Sequence, residues 1–445
     1  MKRAFAYAAL GGALCCAAIS SEGRAADAAC ATDNAAVPPG ANTSSASAPF
    51  YIDTRGLDLK TQAPTRDPAN PDYPRATELA DRAVPSTGAR GNFIIGPTHP
   101  VSPDTMHHDG VPAGRVVSFT MTSNDSVIYR PGMVRDDANG CRNAAIFSAH
   151  TAPGDPSGMI VTSSHPGQWT RAVDVYVPAG HVPRNAPFIV FGDGGPAGFF
   201  NEHQFFTTLD NLIHQHKLPP MVAIGIGAGG QDAQGSERGR EYDAVNGLYA
   251  EWVEHEVLPR VEQTAHVKLT HDPDGRATMG ISSSGVAAFT MAWFHPEWYH
   301  RVLAYSPTMV NQQWPHDSAL PGGAWEYHDD WPGPAHAPQA VDGLHITAAT
   351  GGTGVPLIAN APRKPIRYWF ETGDRDLFYP AAALADGMHD WVLANEHTAR
   401  VLAAADYRYQ FVFARNAAHV DKPTLAQTLP EALEWVWAGY SSTGR

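Results

Sequence analysis

The segment Arg276–Gly285, RATMGISSSG, sets three serines between an apolar run, Ala277–Ile281, and a helix-like stretch starting at Gly285. A serine hydroxyl is a weak nucleophile until a base takes its proton and an acid orients that base. A nucleophile held on a sharp strand-to-helix turn needs small residues two positions before and two after it. For Ser282 these are Gly280 and Ser284, both small. For Ser283 they are Ile281 and Gly285, and for Ser284 they are Ser282 and Val286. Isoleucine and valine do not fit, so Ser282 is the candidate nucleophile, with Ser284 where glycine is usual.

With this element order the acid and then the histidine follow the nucleophile. The run Ile366–Phe370 leads into Glu371-Thr372-Gly373-Asp374-Arg375-Asp376, where Asp374 and Asp376 are both placed to serve. The last apolar run, Tyr409–Phe413, leads to His419, six residues on. The chain holds 21 histidines, so a histidine alone says little; His107, His108, His316 and His328 read as loop or surface residues. A developing oxyanion needs backbone N–H donors. Ser283, just after the nucleophile, is one. The loop Phe191–Pro196 offers the other from Gly194 or Gly195, because Pro196 has no N–H. The same loop lacks the G-x-G-x-x-G spacing of a dinucleotide site.

These residues need a scaffold. Short continuous apolar runs at 188–191, 221–226, 277–281, 302–305, 366–370 and 409–413 read as strands buried on both faces, as in a parallel sheet. Helical stretches at 199–216, 245–265, 285–294, 386–404 and 429–439 separate or follow them. Earlier strands are expected at 92–95, 116–121, 126–129 and 169–177, the last reading as antiparallel. The pattern predicts one doubly wound α/β domain over residues 91–440. An insertion at 312–364 breaks it, rich in Trp and Tyr. It is expected to cap the substrate pocket, with Trp314, Trp325 and Tyr327 against the substrate.

Residues 26–90 read as an extended arm or linker. Residues 1–25, with Lys2 and Arg3 before an apolar run to Ile19 and the small-x-small end Gly23-Arg24-Ala25, read as a secretory signal peptide. The expected location is therefore the periplasm or the medium, with no membrane span. Cys30 and Cys141 remain after cleavage and are candidates for one disulfide. No Cys/His spacing suggests zinc, so no metal is expected. With 31 Lys and Arg against 45 Asp and Glu, the net charge of −14 argues against nucleic acid as a partner. At 43% hydrophobic and 17% charged residues the chain has ample material for a core.

Together the Asp193-Gly194 loop, RGREYD at 238–243, the RATMGISSSG turn, GDRDLF at 373–378, ARNAAHVD at 414–421 and the closing LPEALEWVW resemble the enterochelin esterase and esterase D branch of the α/β-hydrolases. The resemblance covers residues 100–440. It implies an α/β-hydrolase fold and acyl chemistry without a metal or organic cofactor. It also implies Asp376 as the acid, because the family's acid lies three residues after the strand-end glycine, here Gly373. The branch includes feruloyl and acetylxylan esterases and mycolyltransferases. The expected activity is hydrolysis of a small-molecule or polysaccharide ester, with acyl transfer to a sugar or lipid as the alternative. A binding protein on an inactive hydrolase fold is disfavoured by the complete Ser282, Asp376 and His419 set. Arg238, Arg240 and Arg375 are the cations available to an anionic substrate, although each reads more simply as a surface or ion-pair residue.

Overall fold

The structure is a computed structural model that describes residues 50–52, 75–135, 160–162, 164–195, 201–230, 236–310, 323–329, 339–341, 344–346, 356–377 and 390–440. Ten strands form its main sheet: β1 (Ala76–Glu78), β2 (Gly91–Ile95), β3 (Arg115–Thr122), β4 (Thr170–Val177), β5 (Phe188–Gly192), β6 (Val222–Ile226), β7 (Arg276–Ile281), β8 (Arg301–Tyr305), β9 (Arg367–Arg375) and β10 (Arg408–Ala418). Their order across the sheet is β1-β2-β10-β9-β8-β7-β5-β6-β4-β3. Strand β4 runs antiparallel to both β6 and β3, and the other pairs are parallel. The four strands β5 to β8 are buried along their whole length, which is why their sequences are continuous apolar runs rather than alternating ones.

Helices cover both faces. On one lie α1 (Glu202–His214) and, at the chain's end, α7 (Lys422–Trp437); Phe205, Leu209, Leu429 and Leu433 pack there with Phe191, Met279 and Leu303. On the other, α3 (Leu248–Trp252), α4 (Leu258–Ala265), α5 (Ser282–Phe294) and α6 (Trp391–Ala404) bring Trp252, Val261, Phe289 and Leu402 onto Val190, Val302 and Phe370. A π-turn, Val253–Val257, joins α3 to α4. A short helix, α2 (Glu237–Tyr242), holds most of the RGREYD motif, which carries no helical period long enough to read from sequence.

Some expectations fail here. Ser126–Tyr129 is not a strand but a turn behind the helical turn Ser123–Asp125. Ser126 Oγ accepts the Tyr129 N–H at 2.9 Å, and Ile128 and Tyr129 are buried, so the run is apolar for packing rather than pairing. Asn92–Ile95 is a strand, as expected, and it lies across the sheet beside β10. The arm at 26–90 is not wholly outside the domain, because β1 pairs with β2 at the sheet edge. Helix α7 starts earlier than its apolar face suggests. Asp421 caps it, accepting the Thr424 N–H at 3.0 Å, and Pro423 sits in its first turn. The segment 1–25, Cys30, Cys141, Trp314, Trp331 and His316 lie outside the described residues. Among the described residues no helix is long and apolar enough to cross a membrane.

Candidate active site

Parallel strands carry their following loops to one edge of the sheet. Ser282 follows β7, Asp376 follows β9 and His419 follows β10, and the three meet there. Ser282 has φ +52°, the strained left-handed turn of a nucleophile elbow. A Cβ at Gly280 would stand 2.1 Å from the Ser284 carbonyl oxygen, so only glycine fits. The departure at 284 has its own answer. The Ser284 Cβ lies 2.6 Å from where a Cβ on Gly192 would be, so glycine at the end of β5 makes the room that serine uses. Ser284 Oγ then donates to the Ile281 carbonyl at 2.7 Å and accepts the Ile281 N–H at 2.9 Å.

His419 Nε2 is 2.9 Å from Ser282 Oγ, and His419 Nδ1 is 2.5 Å from Asp376 Oδ1. The Asp376 side chain is fully buried, while His419 keeps 22% of its side chain exposed. Leu377 N–H also donates to Asp376 Oδ1, at 2.7 Å, and the Thr372 hydroxyl donates to Oδ2 at 2.9 Å. Burial pushes the Asp376 carboxyl up, but the charge and hydrogen bond of His419, with Ser306 and the Leu377 N–H, bring it below the ordinary aspartate value. Asp374 points elsewhere. It accepts the Ala417 N–H at 3.1 Å and lies 3.8 Å from the Arg375 guanidinium.

Several supporting groups carried no usable sequence signal. Ser306, just past β8 at φ +44°, accepts the Val420 N–H on its hydroxyl at 2.9 Å and donates its own N–H to the Glu371 carbonyl at 2.8 Å. The ring of Trp391 meets His419 edge-on at 5.8 Å. Asp390 caps α6 through the Leu393 N–H at 3.0 Å, and its carboxyl is pushed up to about 7 by burial and by Asp376. Glu371, one strand residue before Thr372, is fully buried; burial and then Asp376 and Asp421 hold its carboxyl well above the ordinary value. Burial and the neighbouring Asp376 carboxylate thus both favour the neutral form of this side chain.

The oxyanion assignment divides. Ser283 N–H sits in the first turn of α5, where no carbonyl four residues back takes it up. Gly194 is a correction: its N–H donates to the Ile226 carbonyl at 3.0 Å, tying the loop to β6. Gly195 N–H is likewise committed, to Glu202 Oε1 at 2.5 Å. The loop is held from below by Arg238, whose guanidinium grips the buried Asp193 with two bonds of 2.8 Å. Tyr242 Oη accepts the Asp193 N–H at 3.2 Å, which explains why the Asp-Gly loop and RGREYD occur together.

The other arginines are also spoken for. Arg240 donates to the Pro131 carbonyl at 2.9 Å and Arg375 to the Asn416 carbonyl at 2.7 Å. Trp325 and Tyr327 are corrections. Both are buried, Tyr327 against Trp293 with its hydroxyl donating to Thr290 Oγ1 at 3.0 Å, and Trp325 against His328 and His397. Those rings fill the domain rather than face a substrate. His328 lies in a turn, as read, but it is buried rather than at the surface. A cavity of about 1120 Å³ lies between Arg115, Val177, Asn185 and His266, at the strand edge opposite Ser282.

A mostly parallel sheet covered on both faces, with a left-handed serine after a central strand and acid and histidine after later ones, defines an α/β-hydrolase. The family model described as "Putative esterase" matches residues 164–399 of the 445, and the chain belongs to that family. The match includes Ser282 and Asp376 and ends before His419. No curated protein matches the chain. Among solved structures, a ferulic acid esterase aligns over 73% of this chain and 98% of its own, at 14% identity and TM-score 0.41. The enterochelin esterase of Shigella flexneri aligns over 60% of this chain and 55% of its own, at 20% identity and TM-score 0.39. A ferulic acid esterase of Anaeromyces mucronatus aligns over 76% and 96%, at 12% identity and TM-score 0.42.

Proposed function

We propose that this esterase is an exported serine hydrolase that cleaves carboxylic esters through an acyl-enzyme. The observation that carries the reading is the unbroken run of hydrogen bonds from Ser282 Oγ through His419 to buried Asp376. In the first half-reaction Ser282 Oγ attacks the ester carbonyl while His419 Nε2 takes its proton. Asp376 holds the Nδ1 proton and stabilises the imidazolium that forms. The Ser283 N–H and the N-terminal end of α5 face the developing oxyanion. Collapse expels the alcohol, which takes the proton from His419, and leaves Ser282 acylated. Water then repeats the sequence, with His419 as base, and frees the acid.

The substrate class is an ester of a small molecule or a polysaccharide. The internal partners of Arg238, Arg240 and Arg375 weaken the case for an anionic substrate held by those residues. The test is a panel of aryl, acetyl-sugar and feruloyl esters run on the chain and on Ser282→Ala. Turnover by the chain with loss of several orders of magnitude in the variant is expected; equal turnover in Ser282→Ala would refute the serine mechanism. Intact mass of protein from the native envelope or medium tests export, with a mass lacking residues 1–25 expected.

A further inference from the structure

Two histidines and an aspartate converge outside the Ser282 site. His328 and Asp329 follow the helical turn Gly323–Tyr327 of the insertion, and His397 lies midway along α6. Their potential ligand atoms all lie within 4.8 Å of one another. The His328 ring is fully buried, and its Nε2 is 2.8 Å from the Met309 carbonyl oxygen. A carbonyl only accepts, so the ring proton is on Nε2. In the neutral ring Nδ1 then presents a lone pair toward Asp329 Oδ2, 2.8 Å away. Two acceptors in contact need a cation between them, either a proton on Nδ1 or a metal ion. His397 Nδ1 is hydrogen-bonded to the same Oδ2, and Arg400 holds the other oxygen, Oδ1, at 3.3 Å. An imidazole with one nitrogen fixed on a backbone carbonyl and the other bare is how proteins present metal ligands. Trp325 packs on both rings, at 4.8 and 5.7 Å between centroids.

We propose that His328 Nδ1, His397 Nδ1 and Asp329 Oδ2 bind one divalent transition metal of the zinc class. Two imidazoles and one carboxylate match that class and leave a fourth position for water. Calcium and magnesium prefer all-oxygen shells. Arms of about 2.0–2.1 Å require donors about 3.3 Å apart, so binding spreads the present contacts slightly. Asp329 and His397, with 25% and 18% of their side chains exposed, lie where that movement is open. The metal would clasp the insertion to α6. Through Met309 it would also brace the loop whose Thr308 N–H donates to the Ser282 carbonyl at 3.1 Å.

The test uses the full chain, stripped with a chelator. Zinc is titrated by calorimetry and cobalt(II) by visible absorption. One zinc per chain, ligand-field bands of four- or five-coordinate cobalt, and a zinc-dependent rise in Tm are expected. His397→Gln and Asp329→Asn, both at partly exposed positions, should weaken uptake at least about tenfold and abolish the Tm rise. Absence of saturable uptake overturns the proposal, as does uptake that both variants leave unchanged. So does a proton that stays on His328 Nδ1 in excess zinc, read by nitrogen-resolved NMR, which would make the cluster a buried ion pair.

Discussion

The choice between Asp376 and Asp374 can be put to a quantitative test. Asparagine at 376 is isosteric, and one of its two orientations survives inspection. Leu377 N–H and His419 Nδ1 both address Asp376 Oδ1, so the carbonyl of an asparagine must stay there and its amide must turn to Thr372 Oγ1. The histidine tautomer is thereby kept, and what is lost is the charge facing the imidazolium. Two charges about 4 Å apart at an effective dielectric of about 20 interact by about 4 kcal/mol. At 1.36 kcal/mol per tenfold, that is a loss of about 10³ in kcat/KM. Asparagine at 374 keeps an acceptor for the Ala417 N–H, so Asp374→Asn should stay within about tenfold of the parent. Both variants, checked for folding by circular dichroism, are assayed on a short aryl ester. If Asp376→Asn keeps more than a tenth of the activity, or Asp374→Asn is the more damaging, the acid has been misassigned. A loss nearer 10⁴ would mean that the asparagine flips and imposes the wrong tautomer.

Gly192→Ala should cost about 1–3 kcal/mol through the clash with Ser284, and less in a Ser284→Gly background; denaturant melts giving strictly additive effects would deny that the two positions compensate. Arg171 is buried with Glu241 between Trp169 and Trp252, so Arg171→Met should lose about 3–5 kcal/mol, largely recovered by also changing Glu241 to Leu; a mild single variant would show the pair to be dispensable. Burial and Asp174 raise the Glu202 carboxyl to about 7, so the stability tied to its protonated form is complete below the ordinary value of 4.5 and is lost as pH rises through 7. Glu202→Gln keeps an acceptor for the Gly195 N–H and should flatten Tm against pH across that window; an unchanged slope would rule Glu202 out as its source.

Local chemistry made part of this protein legible in its sequence. Small residues at 280 and 284 around Ser282, between a strand-like run and a helix, specify a sharp turn by sterics that act within five residues. Apolar runs without alternation specify two-sided burial, and so a parallel sheet whose loops must bring His419 near Ser282. Other features depend on which way a side chain turns and on what the fold sets beside it. Asp374 and Asp376 are two residues apart, and only the turn at the end of β9 sends one to Ala417 and the other to His419. Glycine at 194 reads as an oxyanion donor until β6 supplies the carbonyl that takes its N–H. The aromatics of the insertion read as substrate contacts because exposure is not written in a sequence, and Trp325 and Tyr327 prove to be interior. His397 stands 68 residues beyond Asp329, a spacing without a motif, and helix α6 brings the two into contact. Patterns that act along the chain are readable from it, whereas contacts between distant segments are decided by packing in three dimensions.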